Sequence, residues 1–255
     1  LFASTPPLEA LSLIVSRAAT LGVRGDKKEL MVNDVSRAYF YATCTRTIYI
    51  ELPPEDPDAH PDYLGRLRLC LYATRDAALN WQQTLSEHLI ENGLTRGVGH
   101  PAVFHHKEKD IWTLVHGDDY CSAGALPDLG WLQTTLEKRY EIKSQRIGEW
   151  KDGKGVHKLC EGQVLNRVIR HTRDGYELEA DLRHAELIIE QLELQSAKAV
   201  VTPSADIDVE CKAWSEEPQE EELPPAECTR YRAIAARCNY LQPDRPDIQY
   251  AVKEC

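Results

Sequence analysis

Residues 111–123 read Ile-Trp-Thr-Leu-Val-His-Gly-Asp-Asp-Tyr-Cys-Ser-Ala. Two short runs, Ile111 to Val115 and Tyr120 to Ala123, flank Gly117-Asp118-Asp119, which has the composition of a tight turn between two strands. Upstream, Ala102 to His106 is another strand-like run, and Glu29 to Val35 (ELMVNDV) is a further one that carries Asp34 near its end. Ala77 to Asn92 predicts a helix, because Trp81, Leu85 and Leu89 share one face and Gly93 follows as a stop. Thr5-Pro6-Pro7 opens a first helix closed by Gly22. Leu129, Leu132, Leu136 and Tyr140 mark another helical face, and Leu182, Ala185, Ile189 and Leu192 one more. Ile48 to Leu52 predicts a strand, and the Pro- and Asp-rich stretch from Glu51 to Tyr63 predicts a loop. Val164 to Arg170 and Tyr176 to Leu178 flank Arg173-Asp174-Gly175, a hairpin signal. A last helical segment begins near Thr229, and Pro246 opens another. Strands and helices interleave without regular βαβ spacing, so the expected fold class is α+β, with antiparallel hairpins packed against helices.

The bulk composition sets limits. A chain of 255 residues, 42% hydrophobic, can build one large domain or two small ones. It has no run of about 18 apolar residues, so no membrane-spanning helix and no membrane partner are expected. The first stretch lacks a basic segment and a continuous apolar run, which argues against a signal peptide. The chain starts at Leu1 and stops at Cys255 within a helical pattern, and is expected to be a piece of a longer polypeptide. None of the eight cysteines forms a C-x-x-C pair, which gives a zinc site little support, and with no secretory signal the default is reduced thiols in an intracellular compartment. His157 and Cys160 have a metal-compatible spacing, but no second pair completes a site, and an ordinary surface pair is expected. The net charge of −11 does not advertise a nucleic-acid binder. Most of that charge is local: Ser204 to Thr229 carries nine acids against one base, the composition of an acidic linker.

The chemistry rests on Asp34 and the Asp118-Asp119 pair. Adjacent strands could bring them together, and carboxylates converging at strand ends suit hard divalent cations. Two such ions about 3.5–4 Å apart serve phosphoryl transfer. Gly117 permits the turn. Taken alone, Gly-Asp-Asp is a weak signal, since most such triplets are solvated hairpin turns.

The order of segments resembles the reverse transcriptase of copia-type LTR retrotransposons over nearly the whole chain. Asp34-Val35-Ser36-Arg37-Ala38-Tyr39-Phe40 resembles that family's first catalytic motif. Ile48 to Pro53 resembles the following strand, and Leu69 to Trp81 (LCLYATRDAALNW) the segment that lies against template and incoming nucleotide. Val115 to Tyr120 resembles the Tyr-Val-Asp-Asp hairpin, Val200 to Pro203 a Val-x-Thr-Pro segment, and Tyr231 to Val252 the closing Tyr-Arg…Arg-Pro-Asp-Ile-x-Tyr-Ala-Val block.

The resemblance implies a right-hand polymerase palm with an antiparallel sheet and packed helices, a helical thumb, and fingers incomplete at the N-terminus. Residues 1–179 would be partial fingers and palm, 180–203 a thumb-like helical segment, 204–228 the acidic linker, and 229–255 the start of a connection toward an RNase H domain. Asp34, Asp118 and Asp119 would be catalytic. Asp34 and Asp118 would hold Mg²⁺, or Mn²⁺ as its substitute, with the Val35 carbonyl as a further ligand and Asp119 in support. Tyr39 would lie under the sugar and exclude the 2′-OH, and Arg75 would sit near template or nucleotide phosphate. Lys143 matches poorly a lysine that protonates pyrophosphate, and is expected as a solvated helix-exit residue. The implied partners are an RNA or DNA template with primer, dNTPs and other Pol polyprotein regions. The implied location is intracellular, cytoplasmic in a virus-like particle or nuclear.

This sequence departs from the family pattern at several positions. Ala73, Asp76 and Ala78 stand where the family has Gly, Gln and Pro, and His116-Gly117 replace an aromatic and an aliphatic residue. Asp76 would put negative charge near the path of template or triphosphate. Two other readings stand beside the polymerase: a catalytically inactive, degenerate retrotransposon fragment, and an acidic interaction module built on residues 204–226.

Overall fold

A computed structural model describes residues 4–148, 158–200 and 223–253. The chain divides into two compact units: Leu1–Leu165 with Ile169–Leu178, and Asn166–Val168 with Glu179–Cys255. Helix α1 (Leu8–Ala18) leads into strand β1 (Lys28–Val35) and a 3-10 turn over Ala38–Tyr41. A two-stranded ribbon follows, β2 (Tyr49–Glu51) with β3 (Leu64–Arg66), then helix α2 (Ala77–Glu91). Next come β4 (Thr95–Arg96), β5 (Val103–His106), β6 (Ile111–His116), β7 (Asp119–Ala125), helix α3 (Leu126–Glu137) and β8 (Ile142–Ile147). Strands β9 (Lys158–Leu159), β10 (Glu161–Val164), β11 (Arg167–His171) and β12 (Tyr176–Glu179) follow. The remaining elements are α4 (Leu182–Gln191), α5 (Pro225–Leu241), a 3-10 turn at Pro246–Ile248 and α6 (Gln249–Lys253).

The protein is α+β. Its main sheet has seven strands in the order β4-β5-β6-β7-β1-β8-β9, antiparallel throughout except for the parallel β8–β9 pair. Strand β1 lies between β7 and β8 and is covered on both faces. Met31 and Val35 enter one core with Trp81, Leu85 and Leu89 of α2 and Leu129, Leu132 and Leu136 of α3. Leu30 enters the other with Leu11, Ile14 and Val15 of α1. This double burial explains why β1 reads as a nearly continuous apolar run rather than an alternating one. Helix α1 buries Leu11, Ile14, Val15 and Ala18, a single helical face, against the sheet. Past the end of α2, Gly93 takes φ +87, the left-handed conformation that stops a helix.

In the second unit, α4 and α5 pack on each other. Leu241 and Val252 are its buried apolar residues among those described. With so small a core, a buried ion pair stands out: the Arg167 guanidinium lies 2.9 Å from Asp244 and over the Tyr240 ring.

The structure corrects several expectations. Val164 to Arg170 is not one strand: Leu165 and Asn166 take φ +49 and +63, a tight turn that separates β10 from β11. Lys143 does not leave a helix. It lies within β8, because α3 ends at Glu137 and Tyr140 packs its ring on Trp81 beyond the helix. The linker expected over 204–228 ends too late, since Pro225 opens α5 and fits a helical N1 position. The rest of that segment, up to residue 222, lies outside the described residues, as does His157 of the His157/Cys160 pair. Among the described residues no helix is long and apolar enough to cross a membrane.

Candidate active site

The pairing of β1 with β7 sets Asp34 directly opposite Asp119. Directly opposed residues of an antiparallel pair project from the same face, with Cβ atoms about 4.5–5.5 Å apart. Strand β6 pairs His116 with Asp119, and β8 pairs Lys143 with Asp34. Lys143, Asp34, Asp119 and His116 therefore form one row across four strands. Asp118 stands beside the row in the two-residue turn that joins β6 to β7. The first residue of that turn, Gly117, takes φ +63, as two-residue hairpins favour. The backbone ties the turn to β1, because the Val35 amide donates to the Asp118 carbonyl at 3.0 Å. Side-chain packing ties it to α2, where the buried Trp81 indole N–H donates to the Gly117 carbonyl at 2.8 Å.

Asp118 is exposed, while Asp34 and Asp119 are half-buried. Burial, then the charges of Asp118 and Asp34, push the Asp119 carboxyl above its ordinary range, and His116 partly opposes them. No lysine or arginine forms an ion pair with these three carboxylates among the described residues. The donor set fits a hard divalent cation in its chemistry: oxygen ligands whose repulsion a cation would relieve. The carboxylates lie as a row rather than a closed cage, and no group of three or more His, Cys, Asp or Glu is poised to hold a metal among the described residues.

A cavity of about 300 Å³ adjoins the row. Its walls include Tyr39, Trp81, His116, Asp118 and Asp119, with Ser4 and Thr5 of the N-terminal segment. Tyr39 sits in the 3-10 turn after β1, with its ring 4.5 Å from Tyr72. Burial, and then the Asp118 charge, raise the Tyr39 hydroxyl pKa. Val35 is buried beside the turn. Arg75 is exposed ahead of α2, is not among the cavity walls, and makes no hydrogen bond or ion pair within the described residues.

Asp76 differs from the expectation of a charge lying in the substrate path. Its carboxylate is buried, accepts from Arg46 at 2.7 Å and from Thr45 and Asn80 at 3.4 Å, and is held at about pKa 2, chiefly by Arg46. Three residues bearing on the site escaped the sequence reading: His116 as a wall of the cavity, Arg46, and Tyr72 as the backing of Tyr39. The Leu71-Tyr72 dipeptide of the quoted segment was the available signal for Tyr72, whereas nothing local marks Arg46.

The first unit is thus an α+β body that presents carboxylates at register-paired strand positions beside a tyrosine-walled cavity. No family model matches the chain. Curated proteins do. The chain is 26% identical over 240 residues to the Retrovirus-related Pol polyprotein from transposon RE2 of Arabidopsis thaliana. It is 28% identical over 239 residues to that from transposon RE1 of the same plant, and each match covers 91% of this chain. A third match, to the Transposon Ty1-NL2 Gag-Pol polyprotein of Saccharomyces cerevisiae, is 32% identical over 117 residues, 46% of this chain and 6% of that protein. The chain is therefore homologous, over nearly all its length, to retrotransposon Pol polyproteins of the copia type, as the motif order implied. It spans 15% of the length of the two plant relatives.

Proposed function

We propose that the chain is the polymerase core of a retrotransposon reverse transcriptase, an RNA- or DNA-directed DNA polymerase. The observation that carries this reading is the register of β1 on β7, which opposes Asp34 and Asp119 with Asp118 in the adjoining turn. The main sheet with α2 and α3 would be the palm, and α4 a thumb-like element.

In this reading Asp34 and Asp118, with the Val35 carbonyl, hold Mg²⁺ or Mn²⁺, and Asp119 supports them. The bound cations supply activation of the primer 3′-OH and neutralisation of triphosphate charge. The 3′-OH attacks the α-phosphate of a dNTP, and pyrophosphate leaves. Tyr39, on the cavity wall, lies under the sugar and excludes a 2′-OH. Arg75 would meet template or nucleotide phosphate, and Lys143, opposite Asp34 in β8, would stand where a proton donor to pyrophosphate is useful. Template, primer, dNTPs and other Pol regions are the partners, in a cytoplasmic virus-like particle or the nucleus.

Titration with Mn²⁺, followed by water-proton relaxation, tests the site in the native chain against Asp118→Asn. Specific binding lost in the variant, together with primer extension by the native chain alone, is the expected result. Equal binding and equal extension in both would sink the assignment. A second reading, an inactive degenerate fragment, is favoured by Ala73, which takes φ +66 at the position where the motif it resembles has Gly. It requires that the native chain bind neither Mn²⁺ nor dNTP.

A further inference from the structure

The carboxylate of Asp76 lies in the segment that the polymerase reading sets against template and nucleotide, yet its side chain is only 3% exposed. Burying a carboxylate is costly unless it is paired and hydrogen-bonded. Arg46 provides the pairing from a segment far away in the chain while staying 49% exposed, so its guanidinium keeps much of its hydration. The pair closes a short stack of chain crossings. The Cys44 amide donates to the Arg68 carbonyl at 3.0 Å and the Cys70 amide to the Ala42 carbonyl at 2.9 Å. Tyr72 lies between the anchors at Cys70 and Asp76, in a turn where Thr74 Oγ1 donates to the Leu71 carbonyl at 2.7 Å.

The turn holds the Tyr72 ring 4.5 Å from Tyr39 and 5.6 Å, edge-on, from Phe40. Burial alone does not secure this arrangement. Tyr72 is 42% exposed and Phe40 39%, so both rings keep a large share of their surface in water and neither is locked inside the core. The position of Tyr72, and through it that of Tyr39 on the cavity wall, depends on what fixes the turn at its two ends.

We infer that the Arg46–Asp76 ion pair is a positioning device for the nucleotide cavity: it pins the turn that carries Tyr72 against Tyr39, and so sets discrimination between deoxyribo- and ribonucleoside triphosphates. The inference rests on the polymerase reading above. Arg46 and Asp76 act through Tyr72 and Tyr39 and touch no substrate themselves.

The test is calorimetric titration of the full chain with dGTP and with GTP in the presence of Mn²⁺. The native chain binds dGTP in preference to GTP. Arg46→Gln reduces that preference about tenfold, leaves Mn²⁺ affinity and the circular dichroism spectrum unchanged, and is largely rescued by Arg46→Lys. Tyr72→Leu, which leaves the ion pair intact, produces the same loss, and the double variant is no worse than either single one. A native-like preference in Arg46→Gln, or additive losses in the double variant, would overturn the positioning role while leaving the polymerase reading in place. Should Arg46→Gln fail to fold, Tyr72→Leu and Asp76→Asn, which keeps Thr45 and Asn80 as partners, decide the matter by the same ratio. Failure of the native chain to bind either nucleotide overturns both the inference and the reading beneath it.

Discussion

Ala73 carries a backbone conformation that an L-residue adopts at a cost of roughly 1–2 kcal/mol. Replacing it by glycine relieves that strain and adds about 0.4–1 kcal/mol of unfolded-chain entropy. Ala73→Gly is therefore expected to stabilise the protein by about 0.5–1 kcal/mol, read as a higher urea midpoint with an unchanged slope. Asp76 gives a pH signature at the same scale. Its folded pKa of about 2 lies below the unfolded carboxylate value of about 3.9. The unfolded chain takes up this proton first, so the stabilisation is complete above about pH 4 and disappears as pH falls toward about 2. Urea unfolding of the native chain and Asp76→Asn should accordingly differ at pH 7, and the difference should narrow between about pH 4 and pH 2. A gap that stays constant with pH would mean that the carboxylate charge is not what Arg46 stabilises.

At the scale of elements, α2 and the β6–β7 hairpin depend on each other through Trp81. Its ring is fully buried beside Tyr41 and Tyr140, and its indole N–H reaches the Gly117 carbonyl in the turn bearing Asp118. Trp81→Phe keeps most of the apolar volume but removes that donor, and should cost about 1–3 kcal/mol in urea unfolding. Trp81→Ala should cost about 3–5 kcal/mol. Because the turn loses a tether in Trp81→Phe, Mn²⁺ affinity should fall as well. An unchanged affinity would show that the Val35–Asp118 backbone bond alone holds the turn.

At the scale of the molecule, both apolar cores lie within residues 10–178. Burial of that surface is the main stabilising contribution available to the chain. A chain of residues 1–178 is therefore expected to unfold cooperatively and to bind Mn²⁺ as the full chain does. Loss of cooperative unfolding in the shorter chain would show that residues beyond 178 contribute to the fold of the first unit.

The sequence alone was enough to place most helices and strands, because each depends on neighbours a few positions away. The spacing of Trp81, Leu85 and Leu89 and the turn chemistry of Gly117 are local signals of this kind. The order of motifs was likewise legible and led to the Pol polyproteins. Where local signals were weak, the reading slipped: Lys143 lies in a strand whose partner is Asp34, and Leu165-Asn166 turns the chain inside an apparent strand. Only the tertiary structure decided that Asp34 faces Asp119, that Trp81 bonds the turn carrying Asp118, and that the Asp76 charge is buried against Arg46. The reason is physical: register, burial and charge neutralisation are set by groups that meet across long loops, and no spacing along the chain records which of them will meet.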